Sequence, residues 1–186
     1  MSHHPATLVP PPIGSGDHTR GDEHAPVTLI VYGDYECPYT RKAYRIIQRF
    51  ERRLGDGLHT AFRHFPLTWI HPHAQAAAET AEAAADQGRF WEMHDLLFHG
   101  QGALEGDDLR RYAEKLELDV GRVTRELTER THAGRVERDV ASGRGAGVRG
   151  TPTLFINGRL HADSYEPDVL GPALDAAASG AQRVDR

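Results

Sequence analysis

Residues 26–33, Pro-Val-Thr-Leu-Ile-Val-Tyr-Gly, form an apolar run with no alternation of wet and dry positions. Alternation marks a strand with one solvated face; an unbroken run of this length marks a strand covered on both faces. Such a strand belongs inside a sheet with helices above and below it. The next segments agree. Gly33-Asp34-Tyr35-Glu36 reads as a turn, and residues 38–54 bring Ala43, Ile46, Ile47, Phe50 and Leu54 to one side of a helix. Pro38 suits the first helical turn, where its missing N–H costs nothing. Residues 58–65 read as the second strand of a right-handed β-α-β unit.

A helical block follows. Residues 73–86 are dense in Ala and Glu, and residues 89–99, 107–116, about 120–130 and 133–143 carry aliphatic and aromatic residues at helical spacing. Thr153 to Ile156 then returns to strand character. Asn157-Gly158 supplies two residues that accept positive φ, the requirement of a tight hairpin, and Arg159 to Ala162 would be the returning strand. Pro167 opens a last helix. The expected architecture is α/β: a four-stranded mixed sheet with a large helical insertion, about 72–145, after the second strand. One domain spans 25–179. Pro10-Pro11-Pro12 and Gly14-Ser15-Gly16 mark 1–24 as a flexible N-terminal tail, with His3 and His4 solvated in it, and 180–186 reads as a C-terminal tail.

Composition narrows the function. A formal net charge of −5 disfavours nucleic acid and anionic membrane surfaces as partners. No apolar run approaches the roughly 20 residues of a bilayer span. The N-terminus has no apolar segment of the signal-peptide type, so a cytoplasmic location is expected. Cys37 is the single cysteine, which forbids a disulfide within the chain and fits a reducing compartment. Oligomeric state is not legible.

Cys37 stands where a reactive thiol is placed, at a strand-to-helix turn. The positive end of the helix dipole and free backbone N–H groups favour a thiolate there, and the thiolate is the nucleophile of disulfide exchange. Arg41 and Lys42 add positive charge, while Asp34 and Glu36 oppose it. Thr40, one turn on, is expected to donate a hydroxyl hydrogen bond to the sulfur. Asp34 and Glu36 read as solvated turn residues, His64 as a satisfied strand residue, and Trp69 as either groove or core. His71 and His73 flank Pro72, and no Asp/Glu–His set shows ligand spacing, so no metal is expected.

Three segments carry a family resemblance. Asp34-Tyr35-Glu36-Cys37-Pro38-Tyr39-Thr40, Gly147-Val148-Arg149-Gly150-Thr151-Pro152-Thr153, and Phe62-Arg63-His64-Phe65-Pro66-Leu67 through His71-Pro72-His73-Ala74 resemble the DsbA-like thiol–disulfide oxidoreductases of the thioredoxin fold. The resemblance covers about 25–178. It implies a cis peptide at Thr151-Pro152 that sets the Thr151 backbone beside Cys37, where an extended substrate pairs. By the same resemblance Pro38, Tyr39, Thr151 and Pro152 bind substrate and Cys37 is catalytic; Thr40 joins it as a catalytic candidate through the hydroxyl it would offer the thiolate. The departure is Thr40, where the family holds its resolving cysteine.

The implied function is a monothiol oxidoreductase. It acts on protein or small-molecule disulfides, or glutathionylated thiols, through a mixed disulfide at Cys37. It has no bound cofactor, and glutathione or another thiol is its co-substrate. Two rivals stand beside it. Kappa-class glutathione transferases and their isomerase relatives resemble this topology and activate glutathione at the corresponding turn. A binding module or redox sensor would keep the peptide groove after losing the second sulfur.

Overall fold

The computed structural model describes residues 9–100 and 102–184. His3 and His4 lie outside them, as do Asp185 and Arg186 of the expected C-terminal tail. The chain runs β1 (His18–Arg20), β2 (Val27–Gly33), α1 (Pro38–Leu54), a 3-10 turn (Gly55–Gly57), β3 (Leu58–His64), α2 (Ala74–Ala85), α3 (Phe90–His99), α4 (Gly106–Lys115), α5 (Val120–Glu129), α6 (Ala133–Gly145), β4 (Thr153–Ile156), β5 (Arg159–His161) and α7 (Pro167–Val184). The sheet order is β1-β3-β2-β4-β5. β2 pairs in parallel with β3 along its whole length and antiparallel with β4 through Leu29–Tyr32. The hairpin between β4 and β5 turns on Asn157 and Gly158, both at positive φ.

β2 explains the layering. Leu29 and Val31 join the larger core with α1, α7 and the helical block; Ile30 and Tyr32 join a smaller one with Ala61, Phe65, Leu67, Val148 and Phe155. Successive strand residues point to opposite faces, so an all-apolar strand must find cover on both. Within the helical block α2 packs against α3, α5 and α6, and its Ala77, Ala78, Ala81, Ala83 and Ala84 are buried in the larger core.

The sheet has five strands rather than the expected four. The fifth is β1, inside the 1–24 stretch read as tail, and it pairs antiparallel with β3 from His18 opposite Phe62 to Arg20 opposite Thr60. Its Gly and Pro content looked like flexibility. Distant side chains instead fasten it. Arg63 donates to both carboxylate oxygens of Asp17, at 2.7 and 2.8 Å, and to the Pro12 carbonyl. Arg135 donates to the Gly16 carbonyl. Arg20 pairs bidentately with Asp95 and lies 4.3 Å over the Trp91 ring, while the Trp91 indole N–H donates to Thr19 O. A Cβ on Gly21, at φ +88°, would stand 2.0 Å from the Leu58 carbonyl, so the turn out of β1 requires glycine. At the other end, α7 continues through 180–184, past the expected start of the C-terminal tail.

The Asp17–Arg63 pair is nearly dry, with side chains 9% and 4% exposed. Burial pushes the Asp17 carboxyl up, but the Arg63 hydrogen bonds, the Gly14 N–H and the charges of Arg63 and Arg135 outweigh it and hold it below 3.8. A depressed folded-state pKa gives stabilisation that is complete above about pH 4 and lost as pH falls through the folded value. Removing one partner strands the other charge, so Asp17→Ala is expected to cost about 3–5 kcal/mol at neutral pH. Urea unfolding measures it. The gap between variant and parent should narrow below about pH 4.

Candidate functional site

The turn after β2 is built by short-range bonds. The Phe65 N–H donates to Gly33 O, the Cys37 N–H to Asp34 O, and the Arg41 N–H to Cys37 O at 3.0 Å. Cys37 is thereby the N-cap residue of α1, with extended backbone (φ −71°, ψ 120°). β4 runs antiparallel beside β2, so the loop that precedes it arrives at this same end. The Thr151-Pro152 peptide in that loop is cis. The Cys37 thiol donates to the Thr151 carbonyl, Sγ···O 3.3 Å. Cys37 is 3% exposed, whereas Pro38 and Tyr39 stand in solvent and Thr151 and Pro152 are half-buried. The fold thus gathers Cys37, Thr151 and Pro152, with Pro38 and Tyr39 beside them.

Thr40 is directed elsewhere. It is 1% exposed, its hydroxyl accepts the Asp34 N–H at 3.4 Å, and its Cγ2 lies over Gly33. Among the described residues it makes no hydrogen bond to Cys37, contrary to the expectation from spacing. Nor does the sulfur take the expected backbone N–H bonds. Pro38 has none to give, and the Arg41 N–H is committed to the Cys37 carbonyl.

Two carboxylates clamp the turn to the loop between β3 and α2. Asp34 is 1% exposed rather than solvated. Its Oδ1 accepts the Glu36 N–H, and its Oδ2 accepts the Leu67 N–H and the His71 ring N–H at Nδ1, each at 2.8 Å. Glu36 accepts both the backbone N–H and the ring Nδ1 of His73, at 2.7 and 3.1 Å. His71 and His73 are therefore carboxylate partners. Asp34 holds both ends of the 67–71 turn, on which Trp69 is 66% exposed; Trp69 is not core. Behind the turn, burial drives His94 well below its ordinary pKa, and the buried Tyr35 hydroxyl and His94 Nδ1 share a hydrogen bond of 2.9 Å. Lys42 is spent in an ion pair with Glu166. Next to Glu166, Tyr165 has its pKa raised by burial first; Lys42 opposes, while Glu166, Cys37 and Tyr39 add to the rise. Tyr165 is thus in electrostatic reach of the sulfur, and sequence reasoning missed it because no motif marks it. The Asp34 clamp was equally hidden: its Oδ2 is filled from residues more than thirty positions away.

Comparison with known proteins places this geometry. A family model described as thioredoxin matches residues 14–176. The Na(+)/H(+) antiporter NhaA 1 of Salinispora arenicola is 47% identical over 164 residues, 88% of this chain but 25% of the antiporter. The chain spans about a quarter of the length of the curated relatives it matches. Among solved structures, BdbD of Bacillus subtilis superposes with a TM-score of 0.82 at 21% identity, covering 93% of this chain and 98% of that one. Alpha-DsbA1 of Wolbachia pipientis gives 0.78 at 19% identity, covering 96% and 98%. Among the described residues no helix is long and apolar enough to cross a membrane.

Asp34→Ala tests the clamp. It strands the buried Leu67 N–H and the His71 ring, at about 1–3 kcal/mol for each orphaned donor. Chemical denaturation should show a loss of about 2–6 kcal/mol, and limited proteolysis should open the chain first within 66–73. A variant as stable and protected as the parent would mean that the loop is held by other contacts.

Proposed function

Because the chain belongs to the thioredoxin family, in the DsbA-like form of its fold, we propose that it is a thiol–disulfide oxidoreductase whose single reacting group is Cys37. One observation carries the reading. The only sulfur capable of exchange caps the first turn of α1 and touches the backbone of Thr151 at 3.3 Å, while position 40 holds a hydroxyl turned away from it.

The deprotonated Cys37 sulfur attacks one sulfur of a disulfide R–S–S–R′. A Cys37–S–S–R bond forms and R′S⁻ leaves, taking a proton from solvent. The reacting thiol must first give up its proton to base, which breaks its bond to the Thr151 carbonyl. With no second sulfur in the chain, release comes from outside. One glutathione thiolate attacks the mixed disulfide, frees Cys37 and carries R away as a glutathione mixed disulfide. A second glutathione reduces that product to R–SH and leaves glutathione disulfide. Two glutathione thiols are oxidised as one substrate disulfide is reduced. Glutathionylated thiols enter at the first attack. Thr151 and Pro152 offer the backbone edge along which an extended substrate lies, with Pro38 and Tyr39 on the exposed side.

The scope of the proposal is the segment in hand. Ion transport belongs by name to relatives about four times as long, and three quarters of their length has no counterpart here. The same fact removes the basis for a cytoplasmic location, which rested on where this sequence begins. The reading requires only a compartment that holds a pool of reduced small thiols.

Mass spectrometry after treatment with oxidised glutathione tests it. One glutathionyl group per chain is expected on Cys37 and none on Cys37→Ser; added reduced glutathione should remove it. No adduct on the parent chain overturns the reading. Thr40→Cys restores a sulfur one helical turn along. Its adduct is expected to collapse to an intrachain disulfide with release of glutathione, and in a single turnover the reduced variant should release both substrate thiols without added small thiol, which the parent requires.

A further inference from the structure

At the end of β3, three side chains from separate elements meet at one point. His18 is in β1, His64 ends β3, and Glu82 projects from the alanine-lined helix α2. The Nε2 atoms of His18 and His64 lie 2.9 and 2.7 Å from the same oxygen, Glu82 Oε1. The donor atoms of all three residues fall within 4.8 Å of one another. We propose that His18, His64 and Glu82 form a binding site for a divalent transition-metal ion of the zinc class, stapling β1 and α2 to the end of β3.

The donor chemistry fits. Two imidazoles and one carboxylate are nitrogen and oxygen ligands suited to zinc, with water completing the coordination. Zinc–nitrogen bonds of about 2.0–2.1 Å place tetrahedral ligand atoms roughly 3.3 Å apart. The two N···O separations, 2.9 and 2.7 Å, are shorter by about half an ångström, so the carboxylate and each ring need to move apart by about that much to admit the ion. The rings are already oriented. His18 stacks on Phe90 at 3.4 Å with an interplanar angle of 9°, and the His64 side chain is 1% exposed. His18, with its side chain 19% exposed, provides the opening.

Two neighbours bear on the charge and the proton. Arg135 Nε is 3.9 Å from Glu82 Oε1, but its guanidinium is committed to Asp139 and the Gly16 carbonyl. Without metal, both imidazoles donate from Nε2 to the carboxylate. Metal binding moves each proton to Nδ1. His64 Nδ1 is buried without a hydrogen-bond partner among the described residues, so the shift exchanges an unpaired acceptor for an unpaired donor at an atom that is orphaned already. The sequence hid the set because its members are 46 and 18 positions apart, far from any local ligand spacing.

Titration of the metal-stripped chain with Zn²⁺ against a chromogenic chelator, and with Co²⁺ as a spectroscopic probe, tests the site. One equivalent is expected, with a raised melting temperature and a cobalt spectrum free of thiolate-to-metal absorption. His18→Ala and Glu82→Gln should each weaken binding by more than the roughly 10–100-fold that losing an outer-shell partner costs. His18 is on an edge strand, so its variant keeps the core closed if Glu82→Gln fails to fold. Cys37→Ser and the double change His3→Ala/His4→Ala should bind as the parent does. Absence of a stoichiometric site, binding that survives His18→Ala, or binding that disappears with Cys37 or with His3 and His4 overturns the proposal.

Discussion

The hydrogen-bond ladders on both edges of β2 set the position of everything at the thiol end. β3 pairs along one edge through Gly33, and β4 pairs along the other through Tyr32. A strand with no free edge and no solvated face cannot slip in register without carrying its whole apolar set to the wrong side. Its last residue is therefore a fixed point. Cys37, four residues beyond, inherits that position, and so does the loop before β4 that carries Thr151. The 3.3 Å contact between them is a consequence of strand register before it is a property of either loop.

Around this frame the chain buries several charges and gives each a defined use. Asp34 takes three donors, Asp17 takes the Arg63 fork, and Glu82 takes two imidazoles. A buried carboxylate left without partners is costly, and one with every lone pair occupied is tolerated and directional. Each of these groups joins segments that hydrophobic contact alone would leave free to shift: the redox turn to the 67–71 turn, the Pro-Gly segment to β3, and β1 to α2. Apolar packing fixes the layers, and the buried ions fix which loops lie against which ends of them.

That division explains what could be read from the sequence. Periodicity exposed β2, α1, the helical block and the Asn157-Gly158 hairpin, because each is written in neighbouring residues. The redox turn was legible for the same reason. β1 was not: a three-residue strand has too little pattern, and its stabilising partners Arg63, Asp95, Trp91 and Arg135 are supplied from elsewhere in the chain. Asp34 looked like a turn residue because burial is a property of the fold, and the Leu67 N–H and His71 that fill it lie beyond any local window. Thr40 misled in the opposite way. Its spacing places it near Cys37 on a helical wheel, yet its hydroxyl faces back to the Asp34 N–H while its methyl takes the space that Gly33 leaves open.

This orientation of Thr40 bears on what a single sulfur means. A resolving cysteine makes the second displacement intramolecular, at an effective concentration far above that of any free thiol. Replacing it removes that advantage and leaves the mixed disulfide to persist until a thiol arrives by diffusion. Position 40 is moreover not an empty place where a sulfur has been lost, since the hydroxyl closes the turn that carries Cys37 and its methyl packs over Gly33. The residue supports the nucleophile's backbone without entering the chemistry. Under the exchange chemistry proposed for Cys37, such a site would trade rapid self-release for a long-lived covalent state whose lifetime is set by the surrounding thiol pool, a dependence that follows from the count of sulfurs.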